Sequence, residues 1–203
     1  MERIQAVKDF RLSSKAKEIR KFAETPTLFA QQTQPVGEPF VIVPIVSSSR
    51  RRYIPMGYVD GDTIVNNRVF LIPNADLFMF GILNSNVHNA WMRKVAVRLK
   101  NDYSYSKDLV YNTFPIPELT VEHKKNISET AKSILDARAF YPNSSLADLY
   151  DPLLMPIELR KAHIANDKAV MAAYGFSLKM SEEDCVEAVS YTHLRAHETL
   201  SDL

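Results

Sequence analysis

Two clusters of basic and polar residues have the composition of a surface that binds nucleic acid. The first contains Ser47, Ser48, Ser49, Arg50, Arg51 and Arg52, and the second contains Arg93, Arg98, Lys100, Asn101, Tyr103 and Tyr105. Arginine and lysine neutralise phosphates, arginine also binds guanine edges, and serine or asparagine can bond to either target. These residues are therefore candidates for contact with nucleic acid. Composition alone would equally allow a basic, solvent-exposed face with tyrosines packed beneath it.

The distribution of charge agrees with a nucleic-acid-binding half. The net charge of the 203 residues is only +1. Residues 1–107 carry 16 Lys/Arg and 9 Asp/Glu, a net charge of +7, whereas residues 108–203 carry 9 and 15, a net charge of −6. A polyanion would be attracted to the first half and repelled by the second. The alternative is a non-enzymatic protein-interaction module, in which the acidic half docks on a partner and the basic half is merely solvated.

Motifs for catalysis are missing from the sequence or too short to be specific. There is no Gly-x-Gly turn, no phosphate-binding loop and no Gly-x-Ser-x-Gly elbow. Asp108, Glu122 and Lys124 have the residue types of a magnesium-dependent nuclease, and His193 and His197 have the spacing of a helical zinc pair. Such short patterns recur by chance. No catalytic or metal-binding residue is therefore assigned in this chain.

Composition indicates an ordinary globular protein, with 46% hydrophobic and 24% charged residues. The one cysteine excludes an internal disulfide framework and a cysteine-rich zinc site. No apolar run is long enough to span a bilayer, and the N-terminus has no signal core. A cytoplasmic location and no membrane partner are expected.

Short strands and then helices are predicted to position the basic clusters. Residues rich in β-branched types predict strands at 40–46, where Pro44 forces an edge or a bulge, and at 53–59, with the first cluster between them. Further strands are predicted at 63–65 and 69–72. From residue 75 to 100 the apolar spacing becomes helical.

The helical pattern is expected to break near residues 84–86, and Ser145 is a predicted N-cap. Phe114 to Pro117 is an extended segment and a predicted domain boundary. The fold class is therefore predicted to be α+β, with a mixed sheet-and-helix domain over residues 1–117 that begins with a basic helix. A small all-helical domain over residues 118–178 and a tail over residues 179–203 follow.

Three segments together resemble the C-terminal part of the MmeI-like type II restriction–modification enzymes and related class I S-adenosylmethionine-dependent DNA methyltransferases. They are VSSSRRRYIPMG at 46–57 with FLIPNA at 70–75, then AWMR, RLKNDYSYS and YNTFPIP between 90 and 117, and LADLYDP with MP between 146 and 156, continuing to the Tyr-Gly pair at 174–175. Their order and spacing match over residues 3–178, so the set is specific. The resemblance implies a DNA target recognition domain followed by a helical C-terminal domain.

The resemblance also implies what the chain lacks. In such enzymes methyl transfer, usually to adenine N6, needs an extruded base and bound S-adenosylmethionine. The family's cofactor site and its Asn-Pro-Pro-Tyr/Phe motif are absent here. The chain is expected to be a DNA sequence recognition module of a methyltransferase or methyltransferase–nuclease, without a cofactor of its own. Its expected partners are double-stranded DNA and an upstream methyltransferase domain that uses S-adenosylmethionine.

Three positions and the end of the chain depart from the family pattern. Ser49 stands where relatives often have an acidic residue, so the DNA sequence they recognise does not carry over. Val97 and Ile116 replace a frequent glycine and tryptophan. Residues 190–199 resemble translated sequencing-adapter read-through, and the tail is expected to be non-native from about residue 190.

Overall fold

A computed structural model of the chain describes residues 2–29, 35 and 37–201, with side chains as far as Tyr191. The chain divides into two compact units, Met1–Gln34 and Pro35–Leu203. Residues 30–34 and 36 lie outside the described residues, and so do the side chains of His193 and His197.

The first unit contains helices α1 (Glu2–Ser13) and α2 (Lys17–Lys21), which are followed by a 3₁₀ turn at Phe22–Glu24. The Arg11 guanidinium donates hydrogen bonds of 2.7–2.8 Å to the carbonyl groups of Phe22, Thr25 and Leu28. The Phe22 and Thr25 carbonyl groups also accept main-chain amides, from Thr25 and Leu28, so Arg11 adds a second hydrogen bond to each. One arginine therefore organises the segment that follows the helices.

The strands of the second unit are β1 (Phe40–Pro44), β2 (Val46–Ser47), β3 (Gly57–Val59), β4 (Val69–Ile72), β5 (Val97–Leu99) and β6 (Asp102–Ser104). They form two antiparallel three-stranded sheets, with strand orders β3-β1-β4 and β2-β6-β5. In the first sheet Ile42 lies opposite Gly57 on one side and Leu71 on the other. In the second, Tyr103 lies between Ser47 and Arg98.

The strand predicted at 40–46 is divided between the two sheets. Pro44 is the last β1 residue paired with β4, and it has no amide hydrogen with which to continue the ladder. Ile45 joins the sheets, because its amide donates to the Arg68 carbonyl and its own carbonyl accepts a hydrogen bond from the Tyr105 amide. The chain therefore changes sheets at Ile45, and this change directs the residues after β2 away from the first sheet.

Three predicted elements are wrong in extent. The strand predicted at 53–59 begins only at Gly57. Residues 63–65 do not form the predicted strand, and they follow a turn in which the Thr63 amide donates to the Asp60 carbonyl. The helix predicted to reach residue 100 ends at Val95. Val97 and Leu99 belong to β5, and each is 56% exposed. The helical spacing of Val95 and Leu99 was fortuitous, because the alternation of a hairpin strand places the exposed Val97 and Leu99 on one face.

The helices of the second unit are α3 (Leu77–Leu83), α4 (Asn86–Val95), α5 (Val121–Ala139), α6 (Leu146–Leu149), α7 (Ile157–Ala173) and α8 (Glu182–Ser201), with one π-helical turn at Lys107–Tyr111. Ser85, Thr120 and Ser145 cap α4, α5 and α6, since each hydroxyl accepts a hydrogen bond from an amide in the first turn. The predicted helix break near residues 84–86 and the predicted cap at Ser145 are confirmed.

Helix α3 packs against α5 and α7 in the core. Gly81 permits this approach, because a Cβ atom there would lie 2.7 Å from the Ile127 side chain. The Asn166 amide donates to the Gly81 carbonyl at 2.8 Å, and the Thr130 hydroxyl donates to the Asn166 oxygen at 3.0 Å. Residues before and after Pro117 thus share one core. Small antiparallel sheets combined with these helices confirm the predicted α+β class.

Candidate nucleic-acid interface

The two predicted basic clusters meet at one groove. Pairing of β2 with β6 places the residues after Ser47 beside the β5–β6 hairpin. The Ser49 amide donates to the Asp102 carboxylate at 3.3 Å, which fastens the loop to the hairpin. Ser48, Ser49, Arg50, Lys100, Asn101 and Asp102 line a concavity of about 400 Å³. We call this concavity the basic groove.

The groove presents positive and amide groups to solvent. Arg50, Lys100 and Asn101 are exposed, whereas Asp102 is half-buried and is engaged by the Ser49 amide. The Arg51 amide donates to the Ser48 carbonyl at 3.1 Å, so a tight turn presents Arg50. Cations beside amide and hydroxyl groups can bind phosphates and base edges together. The groove therefore has the chemistry of a nucleic-acid contact.

Arg98 is held over Tyr103 on the same hairpin. The two residues are direct cross-strand partners, and the guanidinium carbon lies 3.9 Å from the centre of the phenol ring. Arg98 also donates to the Tyr103 hydroxyl at 3.0 Å and to the Asn101 carbonyl at 3.2 Å. Lys100, between them in the turn, has a φ of 58°. Stacking and hydrogen bonding therefore brace the turn that carries Lys100 and Asn101.

Two of the predicted arginines are engaged within the protein. Arg93 forms a two-point ion pair with Glu182, with nitrogen–oxygen distances of 2.6 and 2.9 Å, and donates to the Arg52 carbonyl at 3.0 Å. Arg51 is half-buried and donates to the Ala147 carbonyl at 3.4 Å. In this arrangement both side chains support the loop, and they do not line the groove.

Three other predicted residues are buried behind the groove. Ser47 and Tyr103 are buried and lie opposite each other in the second sheet. Tyr105 is also buried, and its hydroxyl lies 2.9 Å from His88 Nε2. Arg52 is exposed, with its guanidinium 5.4 Å from the Tyr53 ring centre. The predicted set therefore separates into residues that face solvent and residues that support them.

A buried polar network behind the loop was not predicted from the sequence. The Tyr53 hydroxyl donates to Asp167 at 2.6 Å, and the other Asp167 oxygen accepts from the Asn86 amide at 2.7 Å. Burial raises the pKa of Asp167, and these hydrogen bonds oppose that effect. Tyr53 and Asp167 are 114 residues apart in sequence. No local spacing could have indicated this pair.

The network continues through His163. Its ring stacks on Tyr53 with 4.1 Å between ring centres, and its Nε2 lies 2.6 Å from the Tyr150 hydroxyl. Arg138 donates to that hydroxyl and, at 2.8 Å, to the Met56 carbonyl. Burial lowers the pKa of His163 to about 3, so the ring is neutral at physiological pH. Side chains from α5, from α7 and from Tyr150 after α6 thus contact one another and the chain between Tyr53 and Met56.

The groups considered for nuclease chemistry have other partners. Asp108 accepts a hydrogen bond from the Asn112 amide group at 3.3 Å, and the Lys124 nitrogen lies 5.8 Å from the Phe78 ring centre. Among the described residues there is no group of three or more His, Cys, Asp or Glu side chains placed to hold a metal ion. No helix in the described part of the chain is long and apolar enough to cross a membrane.

Comparisons with known proteins agree with this arrangement. Residues 1–118 match the family described as "MmeI, target recognition domain", and residues 120–201 match "MmeI, C-terminal domain". DNA methyltransferase A of Bacillus subtilis (strain 168) is 43% identical over 188 residues, which are 93% of this chain and 21% of that protein. The chain thus spans about a fifth of the length of this curated relative.

A solved structure of the Type IIL restriction-modification enzyme MmeI in complex with DNA is also similar. It is 44% identical with a TM-score of 0.85, and the match covers 97% of this chain and 26% of that chain. The family match to residue 201 runs past residue 190, where a foreign tail was predicted, and the origin of that tail stays a prediction. Two family matches that together span nearly the whole chain confirm the resemblance, and this chain belongs to the MmeI family, with a target recognition domain and a C-terminal domain.

Proposed function

We propose that this chain is the DNA sequence recognition module of a site-specific adenine-N6 DNA methyltransferase or methyltransferase–nuclease. The observation that carries the proposal is the convergence of two sequence-distant clusters on the basic groove. A loop after β2 supplies Arg50, and a hairpin turn supplies Lys100 and Asn101. Both elements project from one sheet, which places them side by side. Double-stranded DNA is the proposed partner.

The groove residues contribute different contacts to DNA recognition. Arg50 and Lys100 neutralise phosphates, and arginine can also bind guanine through two hydrogen bonds. The Asn101 amide has the donor and acceptor that adenine requires. Arg98, which donates to the Asn101 carbonyl, extends the positive surface beside the groove. The alternative, a protein-interaction module, predicts scattered basic groups, whereas these groups converge.

The cofactor of the proposed parent enzyme, S-adenosylmethionine, is assigned to a domain outside these residues. Among the described residues, Gly57 and Gly81 serve internal packing, since a Cβ atom at either would lie within 2.7 Å of Ile42 or Ile127. Neither glycine leaves a cradle for a ligand, and the described residues do not fit this cofactor. An upstream methyltransferase domain is therefore the proposed second partner, and a cytoplasmic location is part of the same proposal.

Fluorescence anisotropy of short duplex DNA, titrated with the 203-residue chain at several salt concentrations, tests the proposal. We expect affinity to fall steeply with salt, because binding releases counterions. Arg50→Ala or Lys100→Ala should weaken binding and reduce the salt slope by about 1. Lys132→Ala is the matched control, because it removes an exposed cation that pairs with Asp136 on α5. Unchanged affinity and slope in both groove variants would overturn the proposal.

A further inference from the structure

We infer that the helical part of the chain positions the DNA-contacting loop through the hydrogen bond between Tyr53 and Asp167. This inference rests on the proposed function. Both residues then act as positioning residues for DNA recognition: they hold the loop, and neither touches DNA. Tyr53 is 1% exposed and Asp167 is 6% exposed, so direct contact with a ligand is closed to both.

The main chain after Arg50 is anchored from helix α4. Arg93 donates to the Arg52 carbonyl at 3.0 Å, and the Ile54 amide donates to the Asn89 side-chain oxygen at 2.9 Å. Asn89 is itself fixed, because its amide nitrogen donates to the Ser85 carbonyl at 2.7 Å. These bonds pair backbone groups that would otherwise lack partners in a buried loop.

Helices α5 and α6 add a second set of anchors. Arg138 of α5 donates to the Met56 carbonyl at 2.8 Å, and its remaining nitrogens bond the Tyr150 hydroxyl after α6. Arg51 donates to the Ala147 carbonyl within α6. Each of these bonds joins the loop to a helix, so helices fix the loop after Arg50, while the hairpin fixes Ser49 before it.

Asp167 of α7 links the loop to α4. One carboxylate oxygen accepts from the Tyr53 hydroxyl, and the other accepts from the amide of Asn86, the first residue of α4. A carboxylate at a helix N-terminus is stabilised by the unpaired amides and the helix dipole. The same residue therefore fixes both the loop and the helix that supplies its α4 anchors.

Arg50 lies between two fixed points. Before it, the Ser49 amide bonds to Asp102 of the hairpin, and three residues after it the Tyr53 ring lies between Asp167 and the stacked His163. Releasing Tyr53 would allow Arg50 more conformations, and binding DNA would then have to order them. Pre-ordering a binding loop raises affinity by removing that cost.

The inference is tested with Tyr53→Phe and Asp167→Asn in the 203-residue chain, using short duplex DNA of random sequence and anisotropy at several salt concentrations. Circular dichroism first establishes a temperature at which each variant is fully folded. Tyr174→Phe is the matched control, because it removes a phenol that donates to the Pro115 carbonyl at 2.9 Å, outside the loop.

We expect Tyr53→Phe and Asp167→Asn to weaken DNA binding about fivefold to tenfold and to leave the salt slope unchanged, because the bound loop keeps its phosphate contacts, while Tyr174→Phe binds like the unmodified chain. Folded variants with unchanged affinity would overturn the inference. A purely structural role predicts that result, since it affects unfolding but not binding by the folded protein.

Two further outcomes are decisive. If the unmodified chain does not bind DNA, or neither Arg50→Ala nor Lys100→Ala changes binding, the proposed function fails and the inference fails with it. If neither network variant folds, hydrogen exchange of the unmodified, DNA-free chain decides. A slowly exchanging Ile54 amide supports a pre-ordered loop, and rapid exchange overturns it.

Discussion

The Tyr53 hydroxyl donates a 2.6 Å hydrogen bond to the buried Asp167 carboxylate, and this bond joins a loop beside the basic groove to a helix 114 residues later in the chain. The other Asp167 oxygen holds the start of α4. One carboxylate thus satisfies two donors in the interior. Because buried polar groups are costly when unpaired, this bond couples the stability of the fold to the shape of the loop.

Removing that carboxylate should destabilise the protein strongly. In Asp167→Ala the Tyr53 hydroxyl and the Asn86 amide lose their acceptor inside the protein. We expect the free energy of unfolding to fall by about 3 kcal/mol. Urea denaturation followed by circular dichroism measures this change. Asp136→Ala, which breaks an exposed pair with Lys132, should change it by less than about 1 kcal/mol. Equal losses in the free energy of unfolding for the two variants would contradict the stabilising role of Asp167.

Acid should destabilise the fold through two buried histidines. Burial lowers the pKa of His88 and of His163 to about 3, from an ordinary value near 6.5. Their contribution to stability is therefore complete above pH 6.5 and is lost as the pH falls toward 3. The slope in that window should be about 1.4 kcal/mol per pH unit for each ring. Protonation of Asp167 acts in the opposite direction, because burial raises its pKa.

Urea denaturation at a series of pH values between about 7 and 4 checks this prediction. His88→Gln should reduce the pH dependence, since a neutral amide replaces one titrating ring. Tyr174→Phe is the control and should leave the dependence unchanged, because burial raises the pKa of its phenol, away from this pH range. A pH dependence in His88→Gln equal to that of the unmodified chain would show that His88 does not contribute to it.

The Arg98–Tyr103 stack should matter for binding in proportion to the contacts removed. Tyr103→Phe keeps the ring beneath the guanidinium but loses the 3.0 Å hydrogen bond, whereas Tyr103→Leu loses both. We expect DNA affinity to fall modestly in the first variant and further in the second, because the hairpin turn loses its brace.

Arg98→Ala should weaken DNA binding more than Lys94→Ala, measured by the same anisotropy titration. Both substitutions remove one exposed positive charge, but Lys94 lies on α4 in a cleft that also contains Glu182 and Glu183. If binding depended on net charge alone, the two variants would be equal. That equality would contradict a localised interface at the hairpin.

Local chemistry made several elements predictable. Ser85 and Ser145 cap helices because a hydroxyl can accept bonds from first-turn amides, and that preference is visible in the residue type. The hairpin at 97–104 was missed because Val95 and Leu99 have helical spacing by coincidence. What ends the helix is the extended backbone at Ala96, followed by pairing of Arg98 with Tyr103.

The candidate site was predictable in part, because residue types are visible in the sequence and long-range contacts are not. Residue types identified both basic clusters, and the groove brings Arg50 beside Lys100 and Asn101. Burial of Tyr105 and the pairing of Arg93 with Glu182 depend on contacts between residues far apart in sequence. Composition carries no information about such contacts, so the sequence could not separate supporting residues from exposed ones.

The basic groove itself is tested most directly by site-specific photo-crosslinking of the chain to duplex DNA. A photoreactive amino acid would replace Asn101 in the groove and, in a separate control, Lys132 on α5. We expect efficient DNA crosslinking from position 101, suppressed by high salt, and little crosslinking from position 132. Crosslinking from position 132 that equals or exceeds crosslinking from position 101 would contradict it.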